Sequence, residues 1–209
     1  MIQVKYVRIF EITMEIYQEL YKKASLDRKN RADRYRHDED RICCITADAL
    51  LRYVVKKELM REVFEVERNS FGKPYVKDTG NFFYNISHSG DAVMIAYGDR
   101  EVGVDVEKLR VDIEGEKLAR RYFTDAECSY IFEAEEADRA ERFFRIWTAK
   151  ESYVKYLGTG LRKSLNSFDV LSMKDPVFSG GMIEDNYYMM ICASEKVDCV
   201  ERVQAETLL

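Results

Sequence analysis

FFYNISHSGDAVMIAYGDREVGVDVE, residues 82–107, is where the hydrophobic period of the chain changes from helical to alternating. Three short β-rich runs, Phe82 to Ile86, Ala92 to Ala96 and Val102 to Val106, are separated by Ser-His-Ser-Gly-Asp and Gly-Asp-Arg-Glu turn chemistry. This pattern predicts an antiparallel meander. Side chains alternate along a strand, so Asp105 and Glu107 share one face while Val104 and Val106 point into a core.

Upstream, Val4 to Ile9 reads as a strand, and Ala47, Leu50, Leu51, Val54 and Leu59 recur at the spacing of an amphipathic helix from about Ile45 to Met60. Downstream, Leu118 to Phe123 is helical in pattern, and Thr124 with Glu127 forms a capping box that opens a further helix. A longer helix from about Asp138 to Leu157 is stopped by Gly158 and Gly160. Strands return at Ser167 to Leu171 and Tyr187 to Cys192. Helices and strands thus alternate in blocks twice, an α+β arrangement whose halves, 1–101 and 102–209, meet near residue 100.

The 209 residues carry a net charge of -5, against the electropositive balance expected of a nucleic-acid binder. No segment approaches the ~18 apolar residues of a membrane span and no leader opens the sequence, so neither membrane insertion nor export is expected. Five cysteines without metal-ligand spacing read as reduced thiols of a cytoplasmic protein. One basic cluster stands out, with Arg28, Lys29, Arg31, Arg34 and Arg36 against Asp27 and Asp33. On its own it is the solvated face of a helix.

Three constellations carry chemistry. Asp105 and Glu107 place two like charges in one small site, which a divalent ion between them would relieve; alone, the pair reads as a solvated strand face. Glu151 and Lys155 are i and i+4 on a helix, with Trp147 one turn earlier on the same stripe; alone, they are a surface salt bridge. Asn85 to Gly90 sets His88 between two hydroxyls at a turn whose N–H groups suit phosphate oxygens; alone, His88 is a structural histidine. Gly72-Lys73-Pro74 adds a turn bearing one cation.

In this order the four resemble the 4'-phosphopantetheinyl transferase superfamily, in particular its long, monomeric, surfactin-synthetase-activating class. The resemblance runs over residues 26–171, through Gly72-Lys73-Pro74, Asn85 to Gly90, Gly103 to Lys108, Trp147 to Lys155, Gly158-Thr159-Gly160-Leu161 and Ser167-Phe168. It implies a pseudo-dimer of two similar α+β halves, each an antiparallel sheet packed with helices, with coenzyme A and metal in the cleft between them. It implies an enzyme that moves phosphopantetheine from coenzyme A to a serine of an apo acyl, peptidyl or aryl carrier protein, with release of 3',5'-ADP.

By the same resemblance Asp105, Glu107 and Glu151 hold Mg²⁺, and Lys73, Ser87, His88, Lys150 and Lys155 contact coenzyme A. Arg28 and Arg31, replacing lysines of the family, bind the 3'-phosphate, and Arg41 assists. Glu151, Lys155, His88 and Asp105 are the implied catalytic set, with Glu151 accepting the serine proton. Glu127 matches a position near the active centre, where its capping role is an equal explanation. Two other classes share part of the pattern: a Mg²⁺-dependent nuclease or phosphodiesterase, which has no use for Ser87-His88-Ser89, and a non-catalytic coenzyme A or carrier-protein binding module.

Overall fold

The computed structural model describes residues 1–110, 115–159, 163–184 and 186–209. Strands β1 (Gln3–Arg8), β4 (Phe83–Ser89), β5 (Ala92–Gly98) and β9 (Val200–Arg202) form one sheet in the order β4-β5-β1-β9. Strands β6 (Val102–Lys108), β7 (Val177–Ile183) and β8 (Tyr187–Ala193) form a second in the order β6-β8-β7, and β2 (Val66–Arg68) pairs with β3 (Pro74–Val76) as a separate hairpin. Helices α1 (Met14–Lys23), α2 (Leu26–Ala32) and α3 (Asp38–Leu59) cover the first sheet; α4 (Gly115–Tyr122), α5 (Asp125–Phe132) and α6 (Glu136–Leu157) cover the second.

The alternation of side chains builds four layers. Val7, Val93, Ile95 and Tyr97 face α3, while Val4, Tyr6, Met94 and Ala96 face the other way, against Val102, Val104 and Val106 of β6 and Met189 and Ile191 of β8. The opposite face of β8, with Tyr188 and Met190, packs on Phe143, Ile146 and Val154 of α6. Two sheets thus lie face to face with helices outside, and the central strands β5 and β8 are buried on both sides. Among the described residues no helix is long and apolar enough to cross a membrane.

The α+β class is as expected, with three differences of detail. First, β6 does not continue the β4-β5 hairpin as a meander; it pairs with β8 instead, because Val102, Val104 and Val106 are needed across from the first sheet. Second, Ser87-His88-Ser89 is not a turn. These residues complete β4, paired with Met94, Val93 and Ala92, and the reversal is confined to Gly90 and Asp91. Third, a 3₁₀ turn at Leu165–Ser167 stands where a strand from Ser167 was expected, and β7 was not anticipated. The topology also crosses the 101/102 boundary: β9 runs parallel to β1, and Ala205 and Leu208 enter the first core. Gly160, expected with Gly158 to stop α6, lies outside the described residues; Gly158 ends the helix in the left-handed conformation.

Two buried features hold α6 in place. Gly103 of β6 lies against the helix backbone, where an added Cβ would come well inside 3.0 Å of the Ser152 oxygen and the Tyr156 nitrogen. Lys150, with no exposed surface, spends its three donors on Glu127 Oε2 and the carbonyls of Leu165 and Phe168, each at 2.7 Å. Glu127 also closes the Thr124 capping box (2.8 Å) and accepts the Val170 N–H (2.9 Å). Replacing Gly103 by alanine forces backbone to move and should cost about 3 kcal/mol, the upper end of overpacking, read as a lower midpoint in urea. Lys150→Met leaves a buried carboxylate unpaired, and should cost about 3–5 kcal/mol by the same measurement; an unchanged midpoint for either variant would contradict these roles.

Candidate functional site

A cleft of about 380 Å³ opens where β4, β6 and α6 meet, lined by Ile86, Ser87, His88, Asp105, Glu107, Trp147, Glu151 and Lys155. Each element contributes by its own periodicity. On β6, Gly103, Asp105 and Glu107 share the face turned to α6, so the glycine that lets the helix approach also sets the depth of the two carboxylates. On α6, Trp147, Glu151 and Lys155 recur every fourth residue and form one stripe along that face.

The strand β4 supplies the hydroxyls. Alternate N–H groups of β6 point away from β8, and side chains of β4 meet them: Asn85 Oδ1 accepts from Val104 (2.8 Å), Ser87 Oγ from Val106 (3.4 Å) and Ser89 Oγ from Lys108 (3.1 Å). Ser87 also accepts from Lys155 Nζ (2.9 Å), so its one proton goes to Asp105 Oδ1 (2.8 Å). Lys155 Nζ reaches Asp105 Oδ1 (2.6 Å) and the Val104 carbonyl (3.2 Å). Ser89 donates to Glu107 Oε2 at 2.6 Å.

Three carboxylates therefore face one cation. Burial, and then the charge of Asp105, hold the carboxyls of both Glu107 and Glu151 above the ordinary glutamate range, although Ser89 lowers that of Glu107. His88 is exposed, yet desolvation by the surrounding atoms first, then Lys155 and Arg31, shifts its imidazole below the usual value. Asp105 Oδ2 is buried with no hydrogen-bond partner. An unpartnered carboxylate oxygen beside two further carboxyls is the donor set of a hard cation. Among the described residues, however, no group of three His, Cys, Asp or Glu side chains is already gathered into a metal-holding geometry.

Of the residues expected at a site, Ser87, His88, Asp105, Glu107, Glu151 and Lys155 share this cleft. Arg31 and Arg28 lie near enough to depress His88, but Arg28 also faces Asp48 (3.6 Å) in a neighbouring hollow of about 490 Å³. Arg31 donates to the Tyr35 hydroxyl (3.3 Å), and Arg41 to Asp38 (2.9 Å) and the Tyr35 carbonyl (3.0 Å).

One expectation is corrected, and one residue is placed apart from the cleft. Lys150 is not available to coenzyme A, because it is fully buried and saturated by Glu127 and two carbonyls. Lys73 does not line the cleft; its amine ties Glu101 (2.5 Å) to the carbonyls of Val102 and Tyr156 (both 3.2 Å). Glu127 is likewise a structural partner rather than a cleft residue. Asn85 and Ser89, expected only as parts of a phosphate-holding turn, instead satisfy the edge of β6; the alternation of polar residues at 85, 87 and 89 along one strand face is the signal for that role.

Comparison with known proteins agrees with the geometry. Residues 101–204 match the family model described as the 4'-phosphopantetheinyl transferase superfamily, and residues 12–99 match that of the 4'-phosphopantetheinyl transferase N-terminal region. The chain is 27% identical over 186 residues to 4'-phosphopantetheinyl transferase Sfp of Bacillus subtilis (strain 168), covering 81% of this chain and 82% of that one. It is 31% identical over 157 residues to 4'-phosphopantetheinyl transferase psf-1 of Bacillus pumilus, covering 72% and 65%. It is 32% identical over 152 residues to 4'-phosphopantetheinyl transferase HetI of Nostoc sp., covering 70% and 64%. With residues 12–99 and 101–204 both matched by models of this family, the chain belongs to the 4'-phosphopantetheinyl transferase superfamily.

Proposed function

We propose that this chain transfers the phosphopantetheine arm of coenzyme A to a serine hydroxyl of an apo acyl, peptidyl or aryl carrier protein, with release of 3',5'-ADP. The observation that carries this reading is the cleft in which Asp105, Glu107 and Glu151 face Lys155 and His88. The donor set fits a divalent cation, and Asp105, Glu107 and Glu151 are the residues that would hold Mg²⁺. Bound there, the ion would supply charge to offset a pyrophosphate.

In the reaction the serine oxygen forms a bond to the β-phosphorus of coenzyme A, and the bond from that phosphorus to the leaving 3',5'-ADP oxygen breaks. Lys155, held by Ser87 and the Val104 carbonyl, presents a fixed positive charge to the oxygens that gain negative charge. Glu151 accepts the serine proton, because a serine hydroxyl is a poor nucleophile at neutral pH without a positioned base. Neutral His88 donates a hydrogen bond to a phosphate oxygen. Arg28 and Arg31, on the His88 side, bind the 3'-phosphate, and arginine does so bidentately. Residues 1–101 and 102–209 act as two halves around the substrate within one monomer. Five free cysteines suit a reducing compartment such as the cytoplasm.

Intact-mass spectrometry of apo carrier proteins incubated with the chain, coenzyme A and Mg²⁺ tests the reaction. A gain of about 340 Da per carrier is expected, slowed on the order of a hundredfold or more in Asp105→Ala. Measurable coenzyme A binding with no mass gain on any carrier would leave a binding module instead, and Mg²⁺-dependent cleavage of DNA would indicate a nuclease.

The raised carboxyls of Glu107 and Glu151 also set a pH dependence. In the metal-free fold they bind protons more tightly than in the unfolded chain, so their contribution to stability improves as pH falls through the raised value. Mg²⁺ competes with those protons. The rise in melting temperature produced by Mg²⁺ should therefore shrink as pH is lowered from about 8 to about 5; a rise independent of pH would place the ion elsewhere.

A further inference from the structure

Resting on the reading above, the geometry points to Ser89 as the positioning residue for Glu107: its hydroxyl fixes the carboxylate at the edge of the cleft ready to ligate a divalent cation. Glu107 has two reasons to swing outward. It lies beside the Asp105 charge and is partly buried. A glutamate side chain left free in that field gains solvation by turning to water.

Ser89 opposes this with a hydrogen bond of fixed sense. A hydroxyl has one proton and can otherwise rotate to suit either role. Here the Lys108 N–H, at 3.1 Å, occupies an acceptor lone pair of Oγ, and the proton is directed to Glu107 Oε2 at 2.6 Å. Oε2 is thereby oriented by a group that itself is anchored to the backbone of the strand carrying Glu107. The arrangement repeats, two residues earlier, what Ser87 does for Asp105. Outer partners of this kind orient the groups that touch a metal, and their loss typically weakens metal affinity or activity about 10–100-fold.

The seam contains its own control. Asn85 accepts the equivalent bond from the Val104 N–H at 2.8 Å, yet among the described residues its side chain is hydrogen-bonded to no carboxylate. Loss of Asn85 removes a seam bond alone; loss of Ser89 removes a seam bond and the restraint on Glu107.

The test is Mn²⁺ binding followed by electron paramagnetic resonance, with coenzyme A present, on the full chain and on Ser89→Ala, Ser89→Thr and Asn85→Ala. Melting temperature and phosphopantetheine transfer are measured on the same samples. Ser89→Ala should weaken Mn²⁺ binding about tenfold, Ser89→Thr, which keeps the hydroxyl, should restore most of it, and Asn85→Ala should lower the melting temperature while leaving Mn²⁺ affinity near that of the parent. Equal Mn²⁺ losses in Ser89→Ala and Asn85→Ala, unchanged affinity in Ser89→Ala, or no Mn²⁺ uptake by the parent would each overturn the assignment. Mn²⁺ binding that follows the expected pattern without transfer to any carrier would overturn the proposed function and leave the role of Ser89 standing.

Discussion

Three backbone N–H groups on the outer edge of β6, those of Val104, Val106 and Lys108, are completed by side chains of β4 instead of by a neighbouring strand. A buried N–H without a partner costs free energy comparable to a lost hydrogen bond, so this edge requires a donor-matching row of oxygens. Asn85, Ser87 and Ser89 provide it at the two-residue period of a strand. Because a one-residue slip would turn Tyr84, Ile86 and His88 to β6 instead, the seam fixes the register between the two sheets. The far end of the seam is closed by Arg8, which bonds Asp91 (2.7 Å) and pairs with Glu184, while Tyr187 meets Asp91. Gly90 is required there: its φ is +52°, and a Cβ would lie 2.7 Å from the Tyr187 hydroxyl.

The same oxygens that satisfy the strand edge set the electrostatics of the cleft. Ser87 accepts from Val106 and Lys155 and hands its proton to Asp105; Ser89 does the like between Lys108 and Glu107. Folding and charge placement are therefore one event. When all its groups are ionised the cleft holds three carboxylates and one ammonium, an excess of two negative charges that a divalent cation would balance. Without such a partner the cheaper response is protonation, which is the direction in which Glu107 and Glu151 are shifted.

Much of this was legible in the residues. Alternation placed Asp105 and Glu107 on one face of a strand and Val104 and Val106 on the other, and the four-residue spacing put Trp147, Glu151 and Lys155 on one stripe; both hold because they depend only on local geometry. The partner of β6 was not legible. Whether a strand pairs with its predecessor or leaves for another sheet is decided by which apolar face finds a matching core, and here Tyr187, Met189 and Ile191, more than eighty residues away, supply that core. The Ser-His-Ser segment was misread as a turn for a related reason. Serine and glycine are turn formers in isolation, but pairing with Ala92, Val93 and Met94 overrides that propensity.

Lys150 and Lys155 show how far a motif can carry. They lie five residues apart on one helix, within one signature, yet at about 100° per residue they are displaced by about 140° around the axis. Lys155 follows Glu151 by one turn and reaches the cleft; Lys150 follows Ile146 by one turn and precedes Val154 by one, so it falls on the stripe that packs into the second core. There its ammonium sits 4.4 Å from the centre of the Phe168 ring and bridges Glu127 of α5 to the 165–168 segment. A charge so deeply buried stabilises the fold only with every donor satisfied, and all three of its donors are. The helical period alone, applied to Phe143, Ile146, Lys150 and Val154, separates the two lysines. Half of the Trp-x-x-Lys-Glu signature therefore encodes the packing that holds α6, and the other half encodes what α6 presents to the cleft.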